Sequence, residues 1–354
     1  MIDYKKLFNS KPFGLSKKNK DPWFFLNHKI LSLYHYKYSI DYRKISNTLF
    51  KPIKKINKIS ELPYVHASIF KNFNLITKNN NSKVSTFRSS GTTGKNMSKI
   101  NIDPKTAFLQ SKSLKIIFSE IINKKKDIFF VERENFLETK DAMTAKGAAI
   151  KGFGQLCNKK KFLFDKNNFL KLSLLKNYIK KNKKKDFIIF GFTSSVWINL
   201  ISELKKKKIK LKKNNGIMIH GGGWKKMLKL MINNSQFKKE SKNILGLKNV
   251  YNYYGMIEQT GSIFLECDKG FFHCSNFSDI LIRNSNLKIC SDNKLGLIKT
   301  LSLLPLSYPG HNILTEDLGI IYGVDNCKCG KKGKYFKITG RVPDAELRGC
   351  SDVT

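Results

Sequence analysis

The chain has 354 residues, 41% of them hydrophobic and 12% aromatic, with a formal net charge of +41. That apolar content excludes a disordered chain, and the length suits one large core or two unequal domains, since domains usually run about 100–200 residues. The charge comes from 61 lysines against six arginines. It therefore coats solvated faces rather than reading bases, a task for the planar, bidentate guanidinium. A lysine-rich nucleic-acid-binding protein, held by charge alone, stays only as an alternative of another class.

The start, MIDYKKLFNS, has no apolar run before a small-residue cleavage site, so a cytoplasmic protein is expected. The seven cysteines are scattered and odd in number, as expected of reduced thiols. Residues 187–201 form the most apolar stretch. Thr193, Ser194, Ser195 and Asn199 break it and it falls short of the ~20 residues of a membrane span, so it reads as a strand turning into a helix.

In chain order, residues 1–60 alternate aromatics with lysines, and Phe24, Leu26, Ile30, Leu33 and Tyr34 have the spacing of amphipathic helices. The run 84–87 predicts a strand feeding the loop Ser89-Ser90-Gly91-Thr92-Thr93-Gly94-Lys95. Glycines there let backbone approach a phosphate, hydroxyls and N–H groups donate to its oxygens, and lysine balances charge. The spacing is not that of a P-loop, and alone the cluster also fits a plain Ser/Thr/Gly turn. Asp103 before Pro104 opens a predicted helix over 103–123.

Four apolar runs follow, at 127–131, 186–192, 216–223 and 247–255, separated mostly by lysine-rich helical segments. This alternation predicts an α/β sheet with functional loops at the strand ends. One such end carries His220-Gly221-Gly222-Gly223-Trp224-Lys225, where glycine backbone could pack against a flat ring such as adenine, or simply turn. His220 itself is either a site residue or a satisfied core histidine, and the other histidines point to nothing. Another end carries Tyr253-Tyr254-Gly255-Met256-Ile257-Glu258-Gln259, in which Glu258 could hold Mg²⁺ on a triphosphate or be merely solvated. From 262 to 340 short runs and frequent turns predict a β-rich subdomain. Within it, Leu314-Thr315-Glu316-Asp317-Leu318-Gly319 and Thr339-Gly340-Arg341, running on to Asp344, Arg348 and Gly349, supply the acid for a ribose and the arginine for a phosphate. Cys327-Lys328-Cys329-Gly330 has the form of half a zinc knuckle. No second close pair follows it, and Cys267, Cys274 and Cys290 lie singly upstream, so a simple β-turn is the preferred reading.

These five stretches, in this order, resemble the adenylate-forming superfamily of acyl-CoA synthetases. Within it HGGGWKK, YYGMIEQTGSIFLEC, ILTEDLG, GRVPDAELRGCS and ELPYVHASIFK at 61–71 look like the LuxE-type acyl-protein synthetases, the fatty-acid ligases of bacterial luminescence. The resemblance implies an α/β adenylate-forming large domain over 81–340, with mixed sheets and a β-rich subdomain near its C-terminus. Residues 1–80 would be a helical segment packed on it and 341–354 a tail with the acyl-carrying cysteine. With the sequence ending at Thr354, the superfamily's mobile C-terminal domain is expected to be missing.

By the same resemblance, Ser89 to Lys95 hold the phosphates, His220 to Gly223 with Tyr254 and Gly255 frame the adenine, and Glu258 binds Mg²⁺. Asp317 takes the ribose, Arg341 makes the hinge-side phosphate contact, and ATP with Mg²⁺ are the cofactors. Ile257 stands where the superfamily usually has threonine, so one hydroxyl contact to the α-phosphate is absent. Cys350 is the expected nucleophile: a thiolate attacks an acyl-adenylate, releases AMP and keeps the acyl group as a thioester, although a free cysteine can also simply pack. The expected substrate is a fatty or other carboxylic acid, and the expected partner an acyl reductase or an acidic acyl carrier protein, with no specific nucleic acid. An acyl- or aryl-CoA ligase of the phenylacetate type is the alternative within the enzyme class.

Overall fold

The computed structural model describes residues 2–78, 84–89, 97–224 and 230–342. They form two compact units, one of residues 2–78, 84–88, 97–118 and 255–342, the other of residue 89, 119–224 and 230–254.

The strands of the first unit begin with β1 (Val65–His66), β2 (Ser85–Arg88) and β3 (Lys99–Ile102). The second unit supplies β4 (Lys126–Arg133), β5 (Cys157–Phe164), β6 (Phe187–Phe192), β7 (Gly216–Gly221) and β8 (Asn249–Tyr254). The first unit resumes with β9 (Phe264–Glu266), β10 (Phe272–His273), β11 (Ser278–Arg283), β12 (Gly296–Ser302), β13 (Asn312–Val324) and β14 (Lys334–Arg341).

In the second unit the order is β8-β7-β6-β4-β5, and every pair is parallel. Parallel strands need crossovers, and helices Ala145–Gly154, Leu172–Lys181 and Asn234–Leu245 lie in the connections. Strand β6 reads FIIFGF and is buried at every position, as expected of a strand covered on both faces. Phe129, Tyr178 and Phe187 meet edge to face, with centroids 5.0–5.7 Å apart. Helix Asn234–Leu245 starts where the Asn233 side chain accepts the Gln236 N–H and stops at the left-handed Gly246, burying Phe237, Ile244 and Leu245. The cap contributes about 1 kcal/mol. Beyond β6 the chain turns into a continuous helical run, π-wound over Val196–Ser202.

In the first unit β11-β12-β13-β14-β10-β9 is antiparallel throughout, and β1 adds to β13 in parallel. Strands β2 and β3 form a separate ribbon. The fold class is α/β, with parallel pairing in one unit and antiparallel pairing dominating the other. Helix Pro104–Phe118 begins as its sequence predicts: the Asp103 carboxylate accepts the Thr106 N–H at 2.7 Å. It ends at Phe118, five residues before the predicted end.

The long helix Lys17–Tyr38 departs from its hydrophobic pattern. It buries Phe24, Asn27, His28, Leu31, Ser32 and His35, whereas Leu26 is 57% exposed. Hydrogen bonds decide this face. Ser32 meets His311 Nε2 at 3.0 Å, and His35 is held by Thr77 at 2.7 Å and by the Pro305 carbonyl at 3.2 Å. Satisfied polar groups can occupy a core, and an apolar count misses them. Lys20 donates to the Ser278 carbonyl at 2.7 Å, near the buried Asp279–Lys334 pair at 3.1 Å. Among the described residues no helix is long and apolar enough to cross a membrane.

Candidate functional site

The glycine stretch closes β7. The parallel ladder runs to Gly221, opposite Tyr253 of β8. A Cβ on Gly221 would stand 2.5 Å from the Tyr253 ring, so only glycine lets that ring lie flat on the strand end. Gly222 takes φ +78°, the left-handed region, and Gly223 has open space where a side chain would be. Both are exposed. The chain thus bares glycine backbone at the carboxyl end of a parallel strand, where α/β sheets take their ligands.

His220 turns the other way. Its imidazole is fully buried against Phe237, with centroids 4.3 Å apart, and its Nδ1 meets Thr193 Oγ1 at 3.0 Å. Burial, with Lys238 adding to it, lowers its pKa to about 3. The neutral ring braces the strand end, and Thr193 also donates to the Gly221 carbonyl at 3.1 Å. Tyr254, half-buried, is the last residue of β8.

In the first unit the short turn Ile257–Gln259 carries Glu258, with Gln259 tied to the Gly310 carbonyl at 2.9 Å. The Glu258 carboxylate is only 7% exposed. Burial raises its pKa, against the opposing pull of its own backbone N–H, the Ser98 hydroxyl and Lys71, while Asp317 reinforces the rise. Asp317 lies on β13, opposite Arg341 of β14. Arg341 bonds Asp317 through Nε at 3.1 Å and Glu316 at 2.8 Å, and Lys71 approaches Glu316 at 3.8 Å. Gly255 precedes this turn and is half-buried.

Glu258, Asp317 and Arg341 are therefore brought into one electrostatic neighbourhood. The structure adds Lys71, Ser98 and Glu316 to it. Lys71 and Glu316 fall within the two resembling stretches 61–71 and 314–319, but nothing in their spacing marks a role, and Ser98 carries no signal at all. Ser89 is half-buried at the end of β2. Ser90, Gly91, Thr92, Thr93, Gly94, Lys95 and Cys350 lie outside the described residues.

The family model of acyl-protein synthetases of the LuxE type matches residues 2–354. The chain belongs to the LuxE acyl-protein synthetase family. It is accordingly an enzyme, a ligase. Its fold is that of the adenylate-forming ligases. An open conformation of 2-hydroxyisobutyryl-CoA ligase, in complex with its acyl-AMP and CoA, is similar at a TM-score of 0.70 and 14% identity, over 94% of this chain and 77% of that one. The same ligase in its postadenylation state gives 0.70 and 15%, over 93% and 69%. At such identities the likeness speaks for the fold alone. Among curated proteins none matches the chain.

Within the LuxE family's frame, a buried carboxylate with a raised pKa suits a hard divalent cation. Oxygen donors are what Mg²⁺ takes, and its charge would offset the burial that now disfavours ionised Glu258.

Proposed function

We propose that this chain activates a carboxylic acid, in the first instance a fatty acid, with Mg-ATP, and carries the acyl group on Cys350 as a thioester for a reductase or an acyl carrier protein. The observation that carries the reading is the family match over residues 2–354. The grouping of Glu258, Asp317 and Arg341 supports it.

In the first step a carboxylate oxygen attacks the α-phosphorus, pyrophosphate leaves, and acyl-AMP forms. Residues 89–95 cradle the phosphates with backbone N–H groups and hydroxyls, and Lys95 offsets their charge. The bare backbone of Gly222 and Gly223, which follow the buried Gly221, and the Tyr254 ring frame the adenine, with His220 holding the strand end. Asp317 accepts from the ribose hydroxyls, and Arg341 keeps that carboxylate aimed. Glu258 would hold Mg²⁺, which when bound would neutralise charge on the phosphates. In the second step the Cys350 thiol loses its proton, its sulfur attacks the acyl carbon, and AMP departs. In this reading 81–340 is the adenylating body, 1–80 its helical buttress and 341–354 the carrier tail.

Intact mass spectrometry after incubation with Mg-ATP and a panel of acids tests it. The expected result is an acyl adduct that hydroxylamine removes and Cys350→Ser lacks. Pyrophosphate release with product only on adding CoA would instead favour a CoA ligase, the reading suggested by the fold's likeness to 2-hydroxyisobutyryl-CoA ligase. Neither adduct nor pyrophosphate would overturn both.

A further inference from the structure

Far apart in sequence, Cys267, His273, Cys327 and Cys329 converge: one ligand atom from each lies within 4.8 Å of all the others. The half knuckle at Cys327 thus has its second half, which the topology supplies. Cys267 directly follows β9, His273 ends β10, and Cys327 and Cys329 sit in the loop between β13 and β14, while β10 pairs with both β9 and β14.

The two cysteine segments are built alike. Gly270 N–H donates to the Cys267 carbonyl at 3.0 Å, and Gly330 N–H donates to the Cys327 carbonyl at 3.0 Å. Each glycine stands three residues after its cysteine in the left-handed region, at φ +76° and +82°. Backbone N–H groups of Phe271 and Lys269 bond to the Cys267 sulfur, and that of Lys331 bonds to Cys329. Burial raises the pKa of both thiols, and these peptide N–H groups oppose that rise.

The remaining donor is His273 Nε2, 3.3 Å from Cys329 Sγ in a ring with no exposed surface. In a tetrahedral site with Zn–S about 2.3 Å and Zn–N about 2.0 Å, donor atoms stand roughly 3.5–3.8 Å apart, inside the observed limit. Phe271 and Tyr335 pack around the sulfurs, and the Phe13 ring lies edge-on to His273 at 6.2 Å.

We propose that Cys267, His273, Cys327 and Cys329 form a closed structural zinc site that pins the β9–β10 turn to the β13–β14 loop. Three sulfurs and one imidazole select zinc over the oxygen-seeking cations, and four protein ligands leave no position for a substrate. Binding releases a proton from each thiol to solvent. The resulting net charge of −1 would sit among lysines, since Lys269, Lys328 and Lys331 lie within two residues of the cysteines in sequence. None of the four ligands is among the residues assigned to adenylation, so the two readings are tested separately.

The full-length protein, purified without chelator, is expected to carry one zinc per chain by elemental analysis. A thiol-binding mercurial is expected to release that zinc into a colorimetric indicator. Cobalt, substituted by growth in cobalt medium, is expected to give the visible bands of tetrahedral thiolate coordination. Cys329→Ser should lower zinc below a fifth of the wild-type content, whereas Cys290→Ser should retain it. Metal-free folded wild type that stays colourless with added cobalt would overturn the proposal. So would a mass two hydrogens short, marking a disulfide between two of these cysteines.

Discussion

Asp317 and Arg341 face each other across the β13–β14 ladder, and the one guanidinium holds Asp317 at 3.1 Å and Glu316 at 2.8 Å. A lysine at that position is a single point charge and cannot span both acids. Arg341→Lys is expected to slow acid-dependent ATP–pyrophosphate exchange about tenfold, near 1.4 kcal/mol of barrier. Its melting temperature should hardly move, since the pair is partly exposed and such bridges contribute little to stability. A large fall in Tm with unchanged exchange would contradict the assignment.

Glu258 separates activity from stability in the opposite direction. Its folded pKa is raised by burial, so the stability linked to its protonation is complete below the unfolded value and is lost as pH climbs through the folded one. Glu258→Gln removes that loss. At pH 7 the variant is expected to melt higher than wild type, and to exchange pyrophosphate at least 10²-fold more slowly for want of the anionic carboxylate. Paired melting and exchange measurements check both halves.

Gly221→Ala tests the strand end. The new methyl meets the Tyr253 ring, itself packed on Phe153 and Phe190. Overpacking of this kind costs about 1–3 kcal/mol. Chemical denaturation should register the loss, and ATP affinity, read by calorimetry, should weaken with it. Gly223→Ala, with nothing near its Cβ, should leave stability within about 0.5 kcal/mol.

Acid should act in two stages. Burial holds the pKa values of His28 and His35 down to about 3, so the unfolded chain takes up protons first, and stability declines as pH falls below about 6.5. Asp279 follows. Burial alone would raise its pKa, but Lys20 and Lys334 outweigh it and lower it, so its contribution persists above the ordinary aspartate range and disappears below it. Asp279→Asn is expected to cost about 3 kcal/mol at pH 7, because it leaves the buried Lys20 and half-buried Lys334 with only the more distant Asp21 as counter-charge. A wild-type Tm that stays flat from pH 7 to 3 would contradict both assignments.

Four of the five parallel strands were readable in advance because each holds an apolar run closed by small or polar residues, as at 187–192 and 216–221. Strand Cys157–Phe164 was not. It lies at the end of the strand order, beside β4 alone, and carries three consecutive lysines, so no hydrophobic run marks it. Among the site residues, Glu258, Asp317 and Arg341 sit in short motifs whose order carries the information. Ser98 and Lys71 reach the Glu258 carboxylate only through the tertiary fold. The cysteine–histidine cluster shows the same limit: pairing of β10 with both β9 and β14 brings its halves together, and strand order does not appear in ligand spacing.

The buried polar face of helix Lys17–Tyr38 has a consequence for biosynthesis. Ser32 and His35 bond to His311 and to the Pro305 carbonyl, some 270 to 280 residues later in the chain. On the ribosome this helix emerges well before its partners are made, and the parallel strands of residues 126–254 are synthesised in between. Contacts of such sequence separation form late and slowly. The polar face of the nascent helix therefore lacks these partners until residues 305–311 have been made, which makes the helix a natural stretch for a chaperone to hold.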